Sequence, residues 1–265
     1  MFNLFKKKPL LREESIQWII DSFAWSLENF GSDVFYSETF LVTPSDKYFP
    51  DKITNEKYLA KLIFKRVQEY AGMQDWSCEL VVQDHDMNPY IAPTVKLANT
   101  QQSPAGTFSY SDHDNTKAKI TYNPSQVKNP LELIATFAHE LAHFLGFTAQ
   151  NEPPGGSDYW EHATDLLATF MGFGIFLSNS TFSFKQFQDS ETQGWSSQSL
   201  GYLSQNEHLY TLAIFTVLKD IDPEEVVSHL KKGLIKFYRK AVKDFAENIE
   251  TIKYLKSIKS SEIAP

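Results

Sequence analysis

The sequence predicts an α+β fold, in which a small mixed sheet lies beside two buried helices and is followed by a helical C-terminal part. The stretches 77–83 and 117–122 alternate between polar and apolar residues, which is typical of half-buried strands. The segment 130–145 is apolar on nearly every side, and the segment after 161 continues as the mostly apolar stretch 166–171, which indicates two buried helices. Apolar residues at helical spacing return after residue 208.

The length of the chain permits one large domain or two small ones. It has 265 residues, of which 42% are apolar, and this is ample for a hydrophobic core. The order of elements suggests an N-terminal α/β segment over 1–105, a central core over 106–200 and a helical segment over 201–265. A single domain is the alternative, because no clear linker separates the three segments.

Two helices and two strands are predicted before the central core. A helix covers 12–30 with its apolar residues on one side, and a strand covers 40–43. A second helix covers 56–71 and ends at a glycine, a residue type that commonly terminates helices. A strand at 77–83 follows, and the proline-containing stretch 87–104 is predicted to be a loop.

Two further strands are predicted to pair as a hairpin at the start of the central core. The stretches 107–110 and 117–122 alternate between polar and apolar residues, and turn-forming residues at 111–115 connect them. His113 lies in this turn, and we interpret it as a surface residue rather than a metal ligand.

The helix predicted at 130–145 has start and stop signals at both ends. Asn129 can cap its N-terminus, Pro130 suits the first helical position, and Glu132 falls at the third. Gly146 is predicted to end it. Because the helix is apolar nearly all round, we expect it to be buried, so its polar side chains need partners.

Three of those polar side chains form the most informative motif of the chain. His139 and His143 are four residues apart, which places both imidazoles on one helix face, where they can hold a single metal ion. Glu140 lies beside that ion and can take a proton from a metal-bound water. The alternative is that both histidines are hydrogen-bonded core residues without a metal.

A second motif follows a loop that is rich in turn-forming residues. Glu161 and Asp165 are four residues apart at the start of the second buried helix. Glu161 is predicted to be the third metal ligand, and His162 and Asp158 are the alternatives. Glu161 could instead only close the helix start, because Asp158 and Glu161 have capping-box spacing. Asp165 is predicted to orient a ligating histidine, or else to be a structural buried carboxylate.

The combination of His139-Glu140-x-x-His143 with Glu161-x-x-x-Asp165 resembles the gluzincin metallopeptidases, and in particular their small soluble members. The resemblance covers about 106–177. It implies a zincin-like core in which the two histidines and Glu161 hold Zn²⁺, Glu140 is the general base and acid, and Asp165 supports a histidine ligand.

The resemblance also implies a use for the strand before the metal-binding helix. In gluzincins an edge strand at this place binds the backbone of the substrate by strand addition, and an exposed edge permits this physically. The alternative is an ordinary sheet edge that Lys117 and Lys119 protect against aggregation. The sequence does not decide between these two interpretations.

A metallohydrolase needs a group that stabilises the oxyanion of the reaction, and the start of the helix predicted at 208–218 offers candidates. Tyr202 and His208 flank this start and are predicted to be catalytic, ahead of Tyr210 in the first turns. A structural role is the alternative for each, because no motif singles them out.

The remaining stretches are predicted from composition and spacing. The stretch 178–199 is rich in Ser, Gln and Phe and is predicted to be a long irregular segment, with a lid over the site as one interpretation. A helix is predicted to open at Asp222-Pro223 and to present one apolar face as far as Phe245. Its other side, dense in Lys and Arg, is interpreted as a solvated face.

Composition limits the compartment and the partners. A net charge of −8 argues against nucleic acid as a partner. Cys78, the one cysteine, permits no disulfide within the chain and fits a reducing cytoplasm, where we expect it to be a buried strand residue. The N-terminus lacks the apolar stretch of a signal peptide, and the longest apolar run is too short to span a bilayer. We therefore expect a cytoplasmic protein without stable membrane insertion.

The function predicted from these residues is that of a zinc-dependent hydrolase, a peptidase that cleaves peptide bonds of a peptide or protein substrate with a zinc-activated water and Glu140 as general base. A non-catalytic metal-bearing regulatory or binding protein is the first alternative. A structural core without any metal is the second. The oligomeric state and the cleavage specificity cannot be predicted from the sequence.

Overall fold

The computed structural model describes residues 10–51, 53, 55–83, 106–109, 118–186 and 203–259, without the side chains of 181–186. The elements, in chain order, are α1 (Glu13–Phe30), α2 (Ser32–Ser37), α3 (Glu56–Tyr70), β1 (Cys78–Val82), β2 (Gly106–Ser109), β3 (Ala118–Tyr122), α4 (Pro130–Gly146), α5 (Trp160–Ala168), α6 (Gly174–Gln186), α7 (Gln205–Leu218), α8 (Pro223–Val227), α9 (Lys232–Ala246) and α10 (Ile249–Ser257). Short 3₁₀ turns precede α4 and α5, and a π-turn joins α5 to α6.

β3 is the middle strand of a three-stranded mixed sheet in these ranges. It pairs in parallel with β1, where Leu80 lies opposite Ile120, and antiparallel with β2, where Phe108 lies opposite Ile120. The predicted α+β class and the predicted pairing of the two strands are confirmed. The strand that leads into α4 is not an edge strand, however, because both of its sides are paired. On that side of the sheet the border strand, within the described ranges, is β2.

The first hydrophobic core lies between the sheet and helices α3 and α4. Phe137 of α4 is fully buried and meets the rings of Phe64 in α3 and Tyr122 in β3 nearly edge to face. Burial of a large apolar side chain stabilises a fold by about 1.5–3 kcal/mol. These contacts therefore fix α4 against the sheet on one side and against α3 on the other.

The second hydrophobic core joins α1 to the C-terminal helices. Phe35 stacks on Phe170 with ring centroids 4.7 Å apart and meets Phe215 of α7 edge to face. Tyr238 of α9 is fully buried, and its hydroxyl donates a hydrogen bond to Thr216 Oγ1 of α7 at 2.9 Å. The first and the last of the three predicted segments therefore contribute residues to one core.

The strand predicted at 40–43 is absent, because this stretch has no regular secondary structure. It lies against the π-turn after α5, where the Val42 amide donates to the Gly172 carbonyl at 3.0 Å. Gly172 has a φ of +99°, and a Cβ at this position would collide with the Phe40 carbonyl oxygen. The strand prediction was wrong because the backbone of this stretch bonds to a helix break and not to a sheet.

The single helix predicted from Asp222 is divided into α8 and α9. Asn179 of α6 explains the break, since its amide donates to the His229 carbonyl and its oxygen accepts from the Lys231 amide, both at 2.9 Å. The prediction of an irregular segment over 178–199 was wrong for the first part of that range, because α6 continues to Gln186. Its remainder lies outside the described residues, as does the predicted loop 87–104.

No helix in the described part of the chain is both long enough and apolar enough to cross a membrane.

Candidate metal centre

Helix α4 carries the central motif and matches its predicted bounds closely. Pro130 occupies the first helical position, but the Asn129 side chain makes no capping hydrogen bond, so that part of the prediction was wrong. Gly146 is the last helical residue. A Cβ there would lie 3.1 Å from the Trp160 ring, so this glycine lets α5 pack closely against the end of α4.

The ligand atoms predicted from sequence come together between α4 and α5. Nε2 of His139 and Nε2 of His143 each lie 3.4 Å from Glu161 Oε2. The three side chains form a group whose ligand atoms all lie within 4.8 Å of one another, and no second group of this kind occurs among the residues that the structure describes. The His139 side chain is 5% exposed, whereas those of His143 and Glu161 are 23% and 42% exposed, so the group opens toward solvent on one side.

The spacing of these atoms fits a metal ion better than a set of direct hydrogen bonds. A charge-assisted N–H···O bond is about 2.7–2.9 Å long, shorter than the observed contacts. In a tetrahedral zinc site with Zn–N and Zn–O distances of about 2.0 Å, neighbouring ligand atoms lie about 3.3 Å apart. Glu161 Oε2 is moreover buried without a hydrogen-bond partner, which is costly for a carboxylate oxygen unless a cation faces it.

Asp165 holds His139 in the orientation that a metal requires. His139 Nδ1–H donates to Asp165 Oδ1 at 2.9 Å, and both side chains are buried. With its proton on Nδ1, the neutral ring would present Nε2 to a metal ion on the side of Glu161, which is the tautomer of a zinc-ligating histidine. The predicted contact of Asp165 with a histidine of the motif is therefore present in the structure.

Thr164 holds His143 in the same way, and sequence reasoning missed it. The Thr164 hydroxyl donates to the Trp160 carbonyl at 2.8 Å, so its oxygen is available to accept from His143 Nδ1–H at 3.3 Å. Thr164 lies three residues after Glu161, on the same face of α5. That spacing was the one signal in the sequence that could have identified it.

Strand β2 approaches the motif helix closely. A Cβ at Gly106 would lie 2.7 Å from Thr136 Cγ2 and 2.8 Å from Glu140 Oε1, both on α4. Phe108 of the same strand lies parallel to the His143 ring, with an interplanar angle of 8° and a centroid distance of 6.3 Å. The border strand therefore passes beside both the predicted base and one predicted ligand.

Burial and charge set the protonation of the site. Burial raises the pKa of Glu140, and the negative charge of Glu161 adds to this, although the two histidines oppose it. Burial alone would also raise the pKa of Glu161, but the nearby rings of His139 and His143 outweigh this and lower it to about 2. Burial would lower the pKa of His139, but its hydrogen bond to Asp165 and the nearby Glu161 carboxylate outweigh this and hold it well above its usual range.

The alternative third ligands do not join this group. His162 packs its ring against Trp18 and Tyr159, with centroids 5.9 and 5.4 Å away. Asp158 lies in the 3₁₀ turn before α5, and the helix has Tyr159 at its N-cap position without a side-chain cap. Glu161 therefore does not close a capping box, in contrast to the alternative that the spacing had left open.

Of the residues predicted to stabilise the oxyanion, His208 lies beside the ligand group and Tyr210 lies away from it. His208 is buried, and its Nε2 lies 3.4 Å from Asp165 Oδ2, so it meets the site through Asp165. Tyr210 packs in the second core against Phe245, and burial raises its pKa to about 12. Tyr202 and His113 lie outside the described residues, so the predictions for them stay predictions.

Comparison of the chain with protein families, with characterised proteins and with solved structures found no match. The geometry of its own residues is therefore the basis for assigning a function.

Proposed function

We propose that this protein is a zinc-dependent peptidase. The observation that carries the proposal is the convergence of two histidine Nε2 atoms on a buried carboxylate oxygen that has no hydrogen-bond partner, with the acid Glu140 beside them. Both histidines have a partner at Nδ1 that fixes their tautomer, as expected for metal ligands.

The donor set suits zinc. Two imidazole nitrogens and one carboxylate oxygen are the protein ligands of a well-known class of catalytic zinc site, which keeps its fourth position for water or substrate. His139, His143 and Glu161 would hold the ion, and the partly exposed side of the group leaves room for such a position. Bound zinc would lower the pKa of a water molecule to about 7 and polarise a carbonyl group.

Glu140 is the residue that we propose to move protons. Its side chain is buried on the ligand-bearing helix, and burial raises its pKa, a direction that suits a general base. It would take a proton from the attacking water and return it to the leaving amine. The carboxylate is close to β2, so a peptide lying along that strand would pass within its reach.

A peptide or protein is the proposed substrate. Among the strands that the structure describes, β2 borders the sheet beside the proposed ligands, and an extended peptide can add to such a strand through main-chain hydrogen bonds. The cytoplasm is the proposed compartment, and it is supported by the single cysteine, Cys78, which has no disulfide partner in the described part of the chain.

The proposal is tested by metal content and turnover in matched variants. We expect close to one zinc per chain in the parent protein by mass spectrometry, loss of the metal in Glu161→Ala, and its retention in His162→Ala, whose ring lies away from the ligand atoms. Glu140→Gln should keep the metal but lose hydrolysis of a peptide library by at least about 10²-fold, because the variant lacks the base.

Two results would contradict the proposal in different ways. Zinc at one per chain without hydrolysis of any peptide would favour the metal-bearing regulatory protein. No metal after gentle purification, and none taken up on addition of zinc, would favour a structural role for both histidines.

A further inference from the structure

The two oxygens of the Asp165 carboxylate have different partners. Oδ1 accepts from His139 Nδ1–H at 2.9 Å, as described above. Oδ2 accepts from the Leu203 backbone amide at 3.0 Å and lies 3.4 Å from His208 Nε2. Because Asp165 is only 3% exposed, these groups and not solvent determine where its carboxylate points.

Burying a histidine at position 208 costs free energy. It is 3% exposed, and its Nδ1 is buried without a hydrogen-bond partner anywhere in the described chain. Burial of a polar ring costs free energy unless it is paired, and here the ring nitrogen that has a polar neighbour is the one that faces Asp165. With the proton on Nε2, the ring presents an N–H to the carboxylate.

The start of α7 holds both groups rigidly. Ser204 and Glu207 form a complete capping box, in which the Ser204 amide donates to Glu207 Oε2 at 2.8 Å and the Glu207 amide donates to Ser204 Oγ at 3.4 Å. Leu203 and Leu209, on either side, are buried in the second core. The two groups that face Asp165 Oδ2 therefore belong to a capped and anchored helix start.

We propose that the start of α7 is the outer support of the metal centre, and that His208 is a positioning residue acting through Asp165 on His139. By holding Oδ2, Leu203 and His208 turn Oδ1 toward His139 Nδ1–H, and so keep His139 Nε2 aimed at the ligand group. The proposal rests on the metal centre proposed above. It makes the C-terminal helical layer, which carries no ligand, a determinant of metal affinity.

Zinc affinity measured by competition with a chromogenic chelator tests the proposal. We expect His208→Leu to weaken zinc binding on the order of tenfold, since removal of groups that orient a ligand has effects of this size. His208→Gln keeps an N–H donor at a similar reach and should restore most of the affinity. Leu218→Ala is the matched control, because it removes a buried side chain of the second core from the far end of the same helix. It should lower the melting temperature and leave the zinc Kd within about twofold.

A double-mutant cycle shows whether His208 acts through Asp165. In an Asp165→Ala background, His208→Leu should change the zinc Kd by less than about twofold, because the carboxylate that it positions is gone. The same tenfold loss in both backgrounds would overturn the proposal. If His208→Leu does not fold, His208→Asn serves instead, because its amide is one carbon too short to reach Asp165; parent-like affinity of His208→Asn would equally overturn it.

The outcomes separate this inference from the proposed function. A parent protein that binds no zinc overturns both. A parent that binds one zinc tightly, with variants at His208 that bind it equally well, overturns the positioning role alone and leaves the metal centre intact.

Discussion

The rings of His139 and His143 are held by hydrogen bonds of different strength. The partner of His139 Nδ1 is a buried carboxylate at 2.9 Å, whereas the partner of His143 Nδ1 is a hydroxyl oxygen at 3.3 Å. Hydrogen bonds to a charged group are shorter and roughly twice as strong as those between neutral groups. His139 should therefore be a ligand that binds a proton in competition with a metal.

This difference predicts how zinc affinity depends on pH. Without a metal, Asp165 and Glu161 hold the pKa of His139 well above its usual range despite its burial. Zinc must displace that proton, so the zinc Kd should rise about tenfold for each pH unit below this pKa and level off above it. Isothermal titration in buffers of different ionisation enthalpy would measure the released proton.

Asp165→Asn is the matched variant for this prediction. It removes the negative charge that stabilises the protonated ring, so the onset of the pH dependence should move to lower pH. An identical pH profile in parent and variant would contradict the assignment of Asp165 as the partner that sets the basicity of His139.

The residues of the candidate site could be predicted where their spacing along a single helix brings them together. His139, Glu140 and His143 follow from one five-residue pattern, and Glu161 and Asp165 from a second. Thr164 was missed, and His208 was assigned to the metal side of the site although it faces Asp165. Both contacts join different helices. The three-residue spacing from Glu161 was the one signal for Thr164, whereas no spacing within a single helix encodes the contact of His208 with Asp165.

At the level of elements, the approach of β2 to α4 depends on a residue without a side chain. A Cβ at Gly106 would meet Glu140 Oε1, Thr136 Cγ2 and the backbone oxygen of Thr121, all at less than 3 Å. Real Cβ atoms do not tolerate such distances, so strand, helix or carboxylate must shift.

Gly106→Ala should therefore impair hydrolysis more than metal binding. A displacement of about 1 Å at a reacting group can cost roughly 10²-fold in rate. We expect kcat to fall by about tenfold or more while zinc content stays near that of the parent. Ser109→Ala on the same strand, where the side chain is exposed, is the control and should retain activity. An unchanged kcat in Gly106→Ala would show that the function of Glu140 does not depend on the close approach of β2.

The break between α5 and α6 is the second element that depends on a glycine. Gly172 has a φ of +99° and lies in contact with the Phe40 carbonyl, so any side chain there is strained. Gly172→Ala should lower the free energy of unfolding by about 1–3 kcal/mol, measured by denaturant unfolding.

Gly233→Ala is the matched control for this prediction. Gly233 lies in the first turn of α9, has no atom near its Cβ position and has no positive φ. The substitution should leave stability unchanged or raise it by up to about 1 kcal/mol. Equal effects of the two substitutions would mean that the break does not depend on Gly172.

Element predictions succeeded where local signals agree and failed where distant contacts decide. The helix predicted at 208–218 is present as α7, and it begins three residues earlier, at Gln205, where Ser204 and Glu207 form a capping box. The stretch 40–43 is apolar and β-branched in part, yet its backbone bonds to Gly172, far along the chain. The break between α8 and α9 is held by Asn179, which belongs to α6. No residue pattern within 222–245 indicates this break.

At the scale of the whole molecule, α5 belongs to both hydrophobic cores. Its residues Ala163 and Leu167 lie in the core beneath the sheet, and Leu166 lies in the core of α1 and the C-terminal helices. The same helix carries Glu161, Thr164 and Asp165. The sequence predicted three successive segments, but which helices share a core depends on packing between distant segments, which periodicity does not report.

Metal binding should therefore stabilise the whole fold, because the proposed site joins α4 of the first core to the helix shared by both. A ligand that binds only the folded protein adds about 2.7 kcal/mol at a concentration one hundred times its Kd. For a chain of this size, that should raise the melting temperature by roughly 5–10 °C, and a chelator should reverse the shift.

The control for this prediction is Glu161→Ala, which removes one ligand from the edge of the site while leaving both cores in place. Zinc should leave its melting temperature nearly unchanged, because the remaining histidines bind the ion much more weakly. Equal stabilisation of parent and variant by zinc would instead indicate binding elsewhere on the surface. A shift confined to the parent, reversed by the chelator, would tie the stability of both cores to the ion between α4 and α5.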